Sequence, residues 1–300
     1  MRSRLFIAAL ALASSACTGF VISWAQAALS SSEGAFASDN DPDLVKDAAP
    51  FALKAMESLL PRSPENTDLL LALAAGFTQY AFAFVQSAAD EAEARDIKQA
   101  QQLRARAAKL YARAHAYGQK GLEIRHPGFA ALLTTDRAKA LAQLNPNDVA
   151  LVYWTGLAWA AQISVSKNDL SLVAQLPDAA QMMATGLALD ESYEHGAAHA
   201  FFIIYDGGRS EALGGSEARA RKHFDRAVAL SHGERLAPYV SWAENICVQH
   251  QDLVGFTTLL EKVMAFDVDS APSFRLENTL SQKRAQRLLA QTADLFVEAQ

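Results

Sequence analysis

The segment LRARAAKLYARAHAYGQKG, residues 103–121, decides the fold class. Its apolar and small side chains recur at steps of three and four, which is the spacing of one helix face: Leu103, Ala107, Leu110, Tyr111, Ala114, Tyr117 and Gly121. The cations fall mostly outside this stripe, which is typical of a solvated face rather than an anion site. The segment therefore predicts a long helix that packs against its neighbours along one side.

The same helical pattern extends over the chain on both sides of this segment. No run alternates with the period of a strand, and capping side chains mark helix starts at Asn145, Ser63 and Asp190. A Ser216 cap follows the glycine pair at 214–215, where we expect turns with positive φ. The predicted helices cover residues 42–60, 65–89, 95–123, 128–143, 147–166, 169–174, 177–189, 191–206, 215–230, 234–250, 252–265 and 275–297.

Similar helix ends recur along the chain. Leu187, Val228 and Met264 each lie in an apolar closing turn, and they are separated by 41 and 36 residues. These intervals lie near the tetratricopeptide period of about 34 residues, although the usual Trp/Leu/Gly/Tyr signature is absent. Each helix pair would have an apolar face that only a neighbouring pair can cover. We therefore predict an all-α stack of helical hairpins, tetratricopeptide-repeat-like, over residues 41–300.

The first residues have the pattern of a targeting segment. A basic start precedes a short apolar run that is too short to span a bilayer, which needs about 20 residues. Small residues before Cys17 resemble a lipobox, with Ser14 in place of the usual Leu. This pattern predicts a lipoprotein signal peptide at 1–16, a lipidated Cys17 and a tethered segment at 17–40. The alternative processing site is Ala25-Gln26-Ala27, which would release a soluble protein.

Composition and charge narrow the function classes. Half of the chain (51%) is hydrophobic and 20% is charged, as in a globular protein. The net charge of −6 argues against a general nucleic-acid binder, because phosphate binding needs clustered Lys and Arg. The second cysteine, Cys247, lies in an apolar setting with no cationic neighbour, so we expect a buried and unreactive thiol.

No catalytic or cofactor motif stands out. His195 and His199 have the i, i+4 spacing of two metal ligands, but Gly196 stands where a zinc protease needs Glu. A metal-dependent hydrolase is therefore the weakest hypothesis, and we expect no metal and no cofactor. The glycine pairs at 207–208 and 214–215 lack the lysine of a phosphate-binding loop. These patterns favour a protein that is not an enzyme.

Two helices are rich in aromatic residues. The helix at 65–89 is predicted to be buried at the centre, with Phe77, Tyr80 and Phe84 on one face. Tyr153, Trp154 and Trp159 lie on an almost wholly apolar helix, where core packing is the ordinary interpretation and a ligand or partner contact is the alternative. The two tryptophans point about 140° apart, so we expect them to serve different contacts.

Taken together, several segments resemble the TRAP-transporter-associated TatT component family of periplasmic lipoproteins. The resemblance runs along nearly the whole chain after Cys17. It is carried by Asp41-Pro42-Asp43-Leu44-Val45, Pro50-Phe51-Ala52-Leu53-Lys54, His126-Pro127-Gly128-Phe129, Tyr153-Trp154-Thr155-Gly156 with Trp159, Gly214-Gly215-Ser216 to His223-Phe224, Pro238-Tyr239-Val240 and Arg275-Leu276-Glu277-Asn278.

The resemblance implies an accessory of a tripartite, ATP-independent uptake system. Such a protein would be anchored in the periplasm, at the outer membrane, by lipid on Cys17, and would form a homo-trimer with a central pore. It would dock the periplasmic solute-binding protein and hold a small apolar or organic-acid ligand. The residues expected to line the ligand or partner surface are Tyr153, Trp154, Trp159, Tyr193 and His199. The alternative is a generic tetratricopeptide-type interaction scaffold of the cell envelope.

Overall fold

The computed structural model describes residues 34–297. Helix accounts for 79% of the structure, and residues 34–297 contain no strand, which confirms the predicted all-α class. The predicted signal peptide at 1–16, the lipidation site Cys17 and the alternative processing site at 25–27 lie outside the described residues.

Fourteen helices follow one another in residues 34–297. They are α1 Pro42–Leu59, α2 Thr67–Ala92, α3 Ile97–Arg125, α4 Phe129–Thr135, α5 Arg137–Leu141, α6 Val149–Val165, α7 Leu170–Val173, α8 Leu176–Leu189, α9 Ala197–Gly207, α10 Glu217–Leu230, α11 at 237–250, α12 Leu253–Ala265, α13 Arg275–Ala290 and α14 Thr292–Leu295. Helices α2 and α11 each contain a π-helical stretch, Ala81–Gln86 and Ala243–Cys247. Short 3₁₀ turns lie at Pro146–Asp148, Tyr193–His195, Glu211–Leu213, Val268–Ser270 and Pro272–Phe274.

Side-chain caps explain most of the helix starts. The predicted cap at Asn145 is confirmed: its side chain accepts from the Asn147 amide and forms a capping box with Asp148. Ser216 also caps α10, as predicted. The Ser63 prediction is wrong, because α2 begins three residues later under Asn66, whose side chain accepts from the Leu69 amide.

Three predicted helices are interrupted. The helix expected at 191–206 begins only at Ala197, because Glu194, His195 and Gly196 have positive φ and cannot continue a right-handed helix. The helix expected at 128–143 divides at Asp136, which leaves helical geometry and caps α5. The last helix, expected to reach residue 297, ends at Ala290 and resumes as the short α14.

Helix α2 lies at the centre of the first core. Of the predicted stripe, Phe77 and Tyr80 are buried and Phe84 is partly buried, in a core shared with α1, α3 and α6. The Phe77 ring stacks on Tyr117 with centroids 6.1 Å apart. By length and composition alone α2 could cross a membrane, but 67% of its apolar window is buried inside the structure. Its hydrophobicity is accounted for by this core.

Successive long helices pack side by side, α1 on α2, α2 on α3, α3 on α6, α6 on α8 and α8 on α9. Helices α3 and α6 approach closely at Gly118, where a Cβ would overlap the Thr155 side chain. Helix α13 then contacts the segment before α1: Arg275 Nη1 donates to the Ser38 carbonyl at 2.8 Å, and the Leu276 amide donates to the Ala37 carbonyl at 3.0 Å. Sequential packing is shown, while a tetratricopeptide superhelix stays a prediction.

Candidate functional site

Three of the five predicted site residues form one aromatic cluster. The rings of Tyr153 and Trp154 meet edge to face at 5.0 Å, and Tyr193 lies 5.4 Å from Tyr153. The Trp154 indole donates its N–H to the Tyr193 hydroxyl at 3.1 Å. Tyr153 and Trp154 are buried, with the side chain of Phe202 from α9 in the same cluster. Burial holds the pKa of both tyrosines well above its usual range, so their hydroxyls stay protonated.

Trp159 lies apart from that cluster, as its helical angle predicted. Its ring stacks on the His115 imidazole from α3, with centroids 5.0 Å apart and planes 17° apart, and its indole N–H donates to Gln175 Oε1 at 3.0 Å. The His115 Nε2 atom is buried and has no hydrogen-bond partner among residues 34–297. Burial lowers the His115 pKa to about 4, so this imidazole is neutral at neutral pH.

His199 is the buried centre of a polar chain between the loop at 190–196 and α10. Its Nε2 lies 3.1 Å from Glu191 Oε1, and its Nδ1 lies 2.8 Å from His223 Nδ1. Because a carboxylate can only accept, neutral His199 carries its proton on Nε2, and His223 donates through Nδ1. Arg226 completes the chain with two bonds to Glu191, at 2.8 and 2.5 Å. Burial lowers the pKa of both histidines, and the charge of His199 lowers that of His223 further.

The two histidines of the i, i+4 pair do not converge. His195 lies before α9 and packs edge to face on Phe274, with centroids 5.0 Å apart, whereas His199 faces His223. Residues 34–297 hold no group of three or more His, Cys, Asp or Glu side chains arranged to bind a metal ion. The geometry needed by the metal-dependent hydrolase hypothesis is therefore not formed by this pair.

Sequence reasoning missed a buried carboxylate that organises the loop between α9 and α10. Asp206 is 4% exposed, and its Oδ1 accepts from Arg219 Nε at 3.0 Å and Nη2 at 2.7 Å. Arg219 also donates to the Gly214 carbonyl at 2.6 Å. Positive φ was expected for the glycine pairs at 207–208 and 214–215. It is confirmed for Gly214, at +82°, and is wrong for Gly207, Gly208 and Gly215. The close approach of Gly215 to the Arg209 carbonyl leaves no room for a Cβ.

An open groove of about 580 Å³ lies beside this loop, between α8, α9 and α10. Phe202 and Tyr205 line this groove together with Arg209, Arg219 and His223. The Tyr205 ring is covered by the Arg209 guanidinium, 3.6 Å from its centre, and by the stacked Phe201 ring. The Phe202 ring stacks on the His223 imidazole with centroids 4.8 Å apart. Since Phe202 also belongs to the aromatic cluster, the groove is the outer side of that cluster. In the sequence, the glycine pairs flanking the loop predicted only turns.

A second feature that sequence reasoning missed joins α13 to the aromatic cluster. The Arg235 guanidinium bonds to both Glu277 oxygens, at 2.8 and 3.0 Å, and donates to the Glu194 carbonyl at 3.2 Å. The carboxylate keeps the pKa of Arg235 above its usual value although burial opposes this. Beside this pair, the side-chain oxygen of the fully buried Asn278 accepts from the backbone N–H of Leu236 at 2.9 Å. These bonds fix α13 against the segment that carries Tyr193.

Cys247 is buried in the core of α11, as predicted. Its thiol is 2% exposed, and burial raises its pKa to about 11. A thiol of this kind stays protonated at neutral pH and is a poor nucleophile. The predicted burial of Cys247 is confirmed, and its lack of reactivity stays a prediction.

Comparison with known proteins identifies the family. Residues 38–296 match the family model described as the TRAP transporter T-component. The chain is also similar to an uncharacterized protein of Treponema pallidum (strain Nichols), with 28% identity over 267 residues, which cover 88% of this chain and 83% of the relative. The match spans the aromatic cluster, the groove and the Arg235–Glu277 pair, and confirms the resemblance found in the sequence. The chain belongs to the TRAP transporter T-component family.

Proposed function

We propose that this protein is a non-catalytic accessory of a TRAP transport system that docks the periplasmic solute-binding protein and holds a small apolar or organic-acid ligand. The observation that carries the proposal is the family match over residues 38–296, which assigns the chain to a transport accessory family not known as catalytic. Docking of the solute-binding protein and holding of a ligand are proposed in addition to that family match. The open groove of about 580 Å³ beside the aromatic cluster supports ligand holding, because small-molecule sites are concave and lined largely by apolar and aromatic side chains.

The anchoring part of the proposal rests on the amino-terminal sequence. Residues 1–16 would be removed as a lipoprotein signal peptide, and lipid on Cys17 would hold the protein at the outer membrane in the periplasm. Mass spectrometry of the mature amino terminus tests this. We expect a diacylated Cys17, and Cys17→Ser should move the protein to the soluble periplasmic fraction. A mature chain that begins at Ala28, after Ala25-Gln26-Ala27, would contradict lipid anchoring.

The ligand part assigns the aromatic cluster and His199 to the binding surface. Tyr153, Trp154 and Tyr193 are packed against one another, while His199 acts behind the groove by holding His223. Tyr193→Phe keeps the ring and removes the oxygen that accepts from Trp154. We expect this variant to fold as wild type and to change the tryptophan emission. Trp159 lies on the far side of α6, where its indole N–H donates to Gln175. Its emission can be compared with that of Trp154.

Docking is tested by affinity purification of the lipidated protein from cross-linked periplasm. We expect recovery of a solute-binding protein of a TRAP system, and analytical ultracentrifugation should give the mass of a homo-trimer. Repeated recovery of envelope-assembly proteins, with no solute-binding protein, would favour the generic scaffold. A monomer at every concentration tested would remove the trimer from the proposal while leaving docking intact.

A further inference from the structure

Two histidines from different helices share one hydrogen bond where α9 meets α10. His199 Nδ1 lies 2.8 Å from His223 Nδ1, and only one proton fits between two ring nitrogens at this distance. The His199 side chain is 5% exposed and that of His223 is 20% exposed. The other His199 nitrogen, Nε2, donates to Glu191 Oε1 at 3.1 Å. Both nitrogens of neutral His199 are therefore engaged inside the protein.

The pair can take up one added proton without losing its hydrogen bond, but not two. His223 Nε2 lies 4.0 Å from Asp206 Oδ2, so a proton on that nitrogen would face a carboxylate. A second added proton would have to go to His199 Nδ1, which is the acceptor of the bond between the rings. Two N–H groups would then point at each other across 2.8 Å, on two cationic rings whose centroids are 5.1 Å apart. The closed arrangement therefore excludes the second proton.

The charged groups around the pair do not remove this conflict. The carboxylates of Glu191 and Asp206 face the outer nitrogens of the two rings, and each is already bonded to an arginine of α10, Arg226 and Arg219 respectively. Arg209 of the loop after α9 lies 3.8 Å from Asp206 as a further cation, and α8 contributes an alanine and a leucine to the same region. Hydrogen bonds from Arg226 lower the pKa of Glu191, so this carboxylate stays ionised at pH 5.

The first turn of α9, which carries His199, follows a strained segment. Glu194 and His195 have φ of +48° and +55°, and Gly196 follows at +79°. The left-handed conformation is unfavourable for residues with a Cβ atom, so it persists only while surrounding contacts hold it. Because residues 194–196 lie between α8 and α9, they can rearrange without breaking either helix.

We propose that the His199–His223 pair is an acid-sensitive latch. With one proton between the rings it holds the first turn of α9 against α10. With both rings protonated it allows that turn to move away from α10, and residues 194–196 act as the hinge. Opening exposes both imidazoles to water, where each has its ordinary affinity for protons. The latch goes beyond the proposed function and does not depend on a role in transport.

Hydrogen exchange of the full-length protein, followed by mass spectrometry at pH 7 and pH 5, tests the latch. The protection factor, which corrects for the intrinsic exchange rate of each amide, measures the opening equilibrium. Because the open form binds one more proton than the closed form, acid favours opening. One excluded proton with an ordinary pKa of about 6.5 raises the opening equilibrium about 25-fold over this range. We expect this change at residues 191–207, where protection should also lie below that of α3.

One variant removes the conflict between the two rings. In His223→Gln the amide can donate to neutral His199 and accept from protonated His199, so the opening equilibrium at 191–207 should change by less than about threefold. The control His232→Asn removes an exposed histidine from the turn after α10 and retains a residue type that tolerates positive φ. This control should show the same change with pH as wild type.

Nitrogen NMR of wild-type protein labelled at histidine gives a measurement that needs no variant. We expect the His199 ring to keep the chemical shifts of a neutral imidazole at pH 5. Two fully protonated rings in a chain that is still protected at 191–207 would overturn the latch. A change below about threefold in wild type, or an undiminished change in His223→Gln, would overturn it as well.

Discussion

Replacing His115 by phenylalanine isolates one buried imidazole whose protonation opposes folding. The side chain is packed between α3 and α6, stacked on Trp159, and its Nε2 has no hydrogen-bond partner among the described residues. Phenylalanine keeps the flat ring and places a carbon where the unsatisfied nitrogen lies. At neutral pH we therefore expect the variant to be as stable as wild type or slightly more stable.

The magnitude follows from the difference in pKa between the two states. The His115 pKa is about 4 in the folded chain against an ordinary value of 6.5. As the pH falls below 6.5, the unfolded chain gains this proton and the folded chain does not, so stability is lost on the acid side. Between about pH 7.5 and about pH 5 the loss from this residue is about 2 kcal/mol.

Urea unfolding followed by circular dichroism at these two pH values gives the measurement. Wild type and the control His250→Phe should both lose the His115 contribution, because the His250 side chain is half exposed (51%) and packs outside the core. His115→Phe should lose about 2 kcal/mol less. The reasoning is refuted if His115→Phe loses as much stability on acidification as wild type does.

Three further predictions concern packing and burial. Gly118→Ala should lower the free energy of unfolding by about 1–3 kcal/mol in urea titrations, because the new Cβ would overlap Thr155 where α3 meets α6. Unchanged stability would show that the two helices can separate at little cost in free energy. Asn278→Ala should lower the free energy of unfolding by about 2 kcal/mol in the same assay, since the Asn278 side chain accepts from the Leu236 N–H and donates to the Glu234 carbonyl. A loss below about 0.5 kcal/mol would contradict this. Cys247 should react with a thiol reagent only as fast as the protein unfolds, as followed by mass spectrometry, and rapid labelling of the folded protein would disprove its burial.

Long helices were predictable because their signals are local. The three-and-four spacing over residues 103–121 fixes α3 and its buried face, and Asn145 marks the start of the segment leading into α6. The starts of α2 and α9 were not predictable in the same way. Ser63 and Asn66 are both residue types that cap helices, and in the structure Asn66 is the cap of α2. Of the left-handed residues 194–196, only Gly196 is a type that favours positive φ, and Glu194 and His195 carry no such signal.

The candidate site shows the same division. The aromatic residues of α6 were singled out in the sequence as candidate ligand or partner contacts, and that role stays a prediction. The partners of the site residues are distant in sequence: His223 lies 24 residues from His199, and Glu277 lies 42 residues from Arg235. Many arginines and carboxylates have equivalent surroundings in the sequence, so the sequence alone does not show which of them pair.

The sequence by itself determined that the chain is helical, which helix faces are buried and which family the chain belongs to. These follow from periodicity, capping and ordered motifs, and each acts over a few residues. Only the tertiary structure decided that His199 meets His223 rather than His195, that Asp206 holds the loop beside the groove, and that α13 returns to residues 37–38. The physical reason is that a buried charge or imidazole is stabilised by whatever partner folding places within hydrogen-bond distance, and that placement depends on the packing of the whole chain.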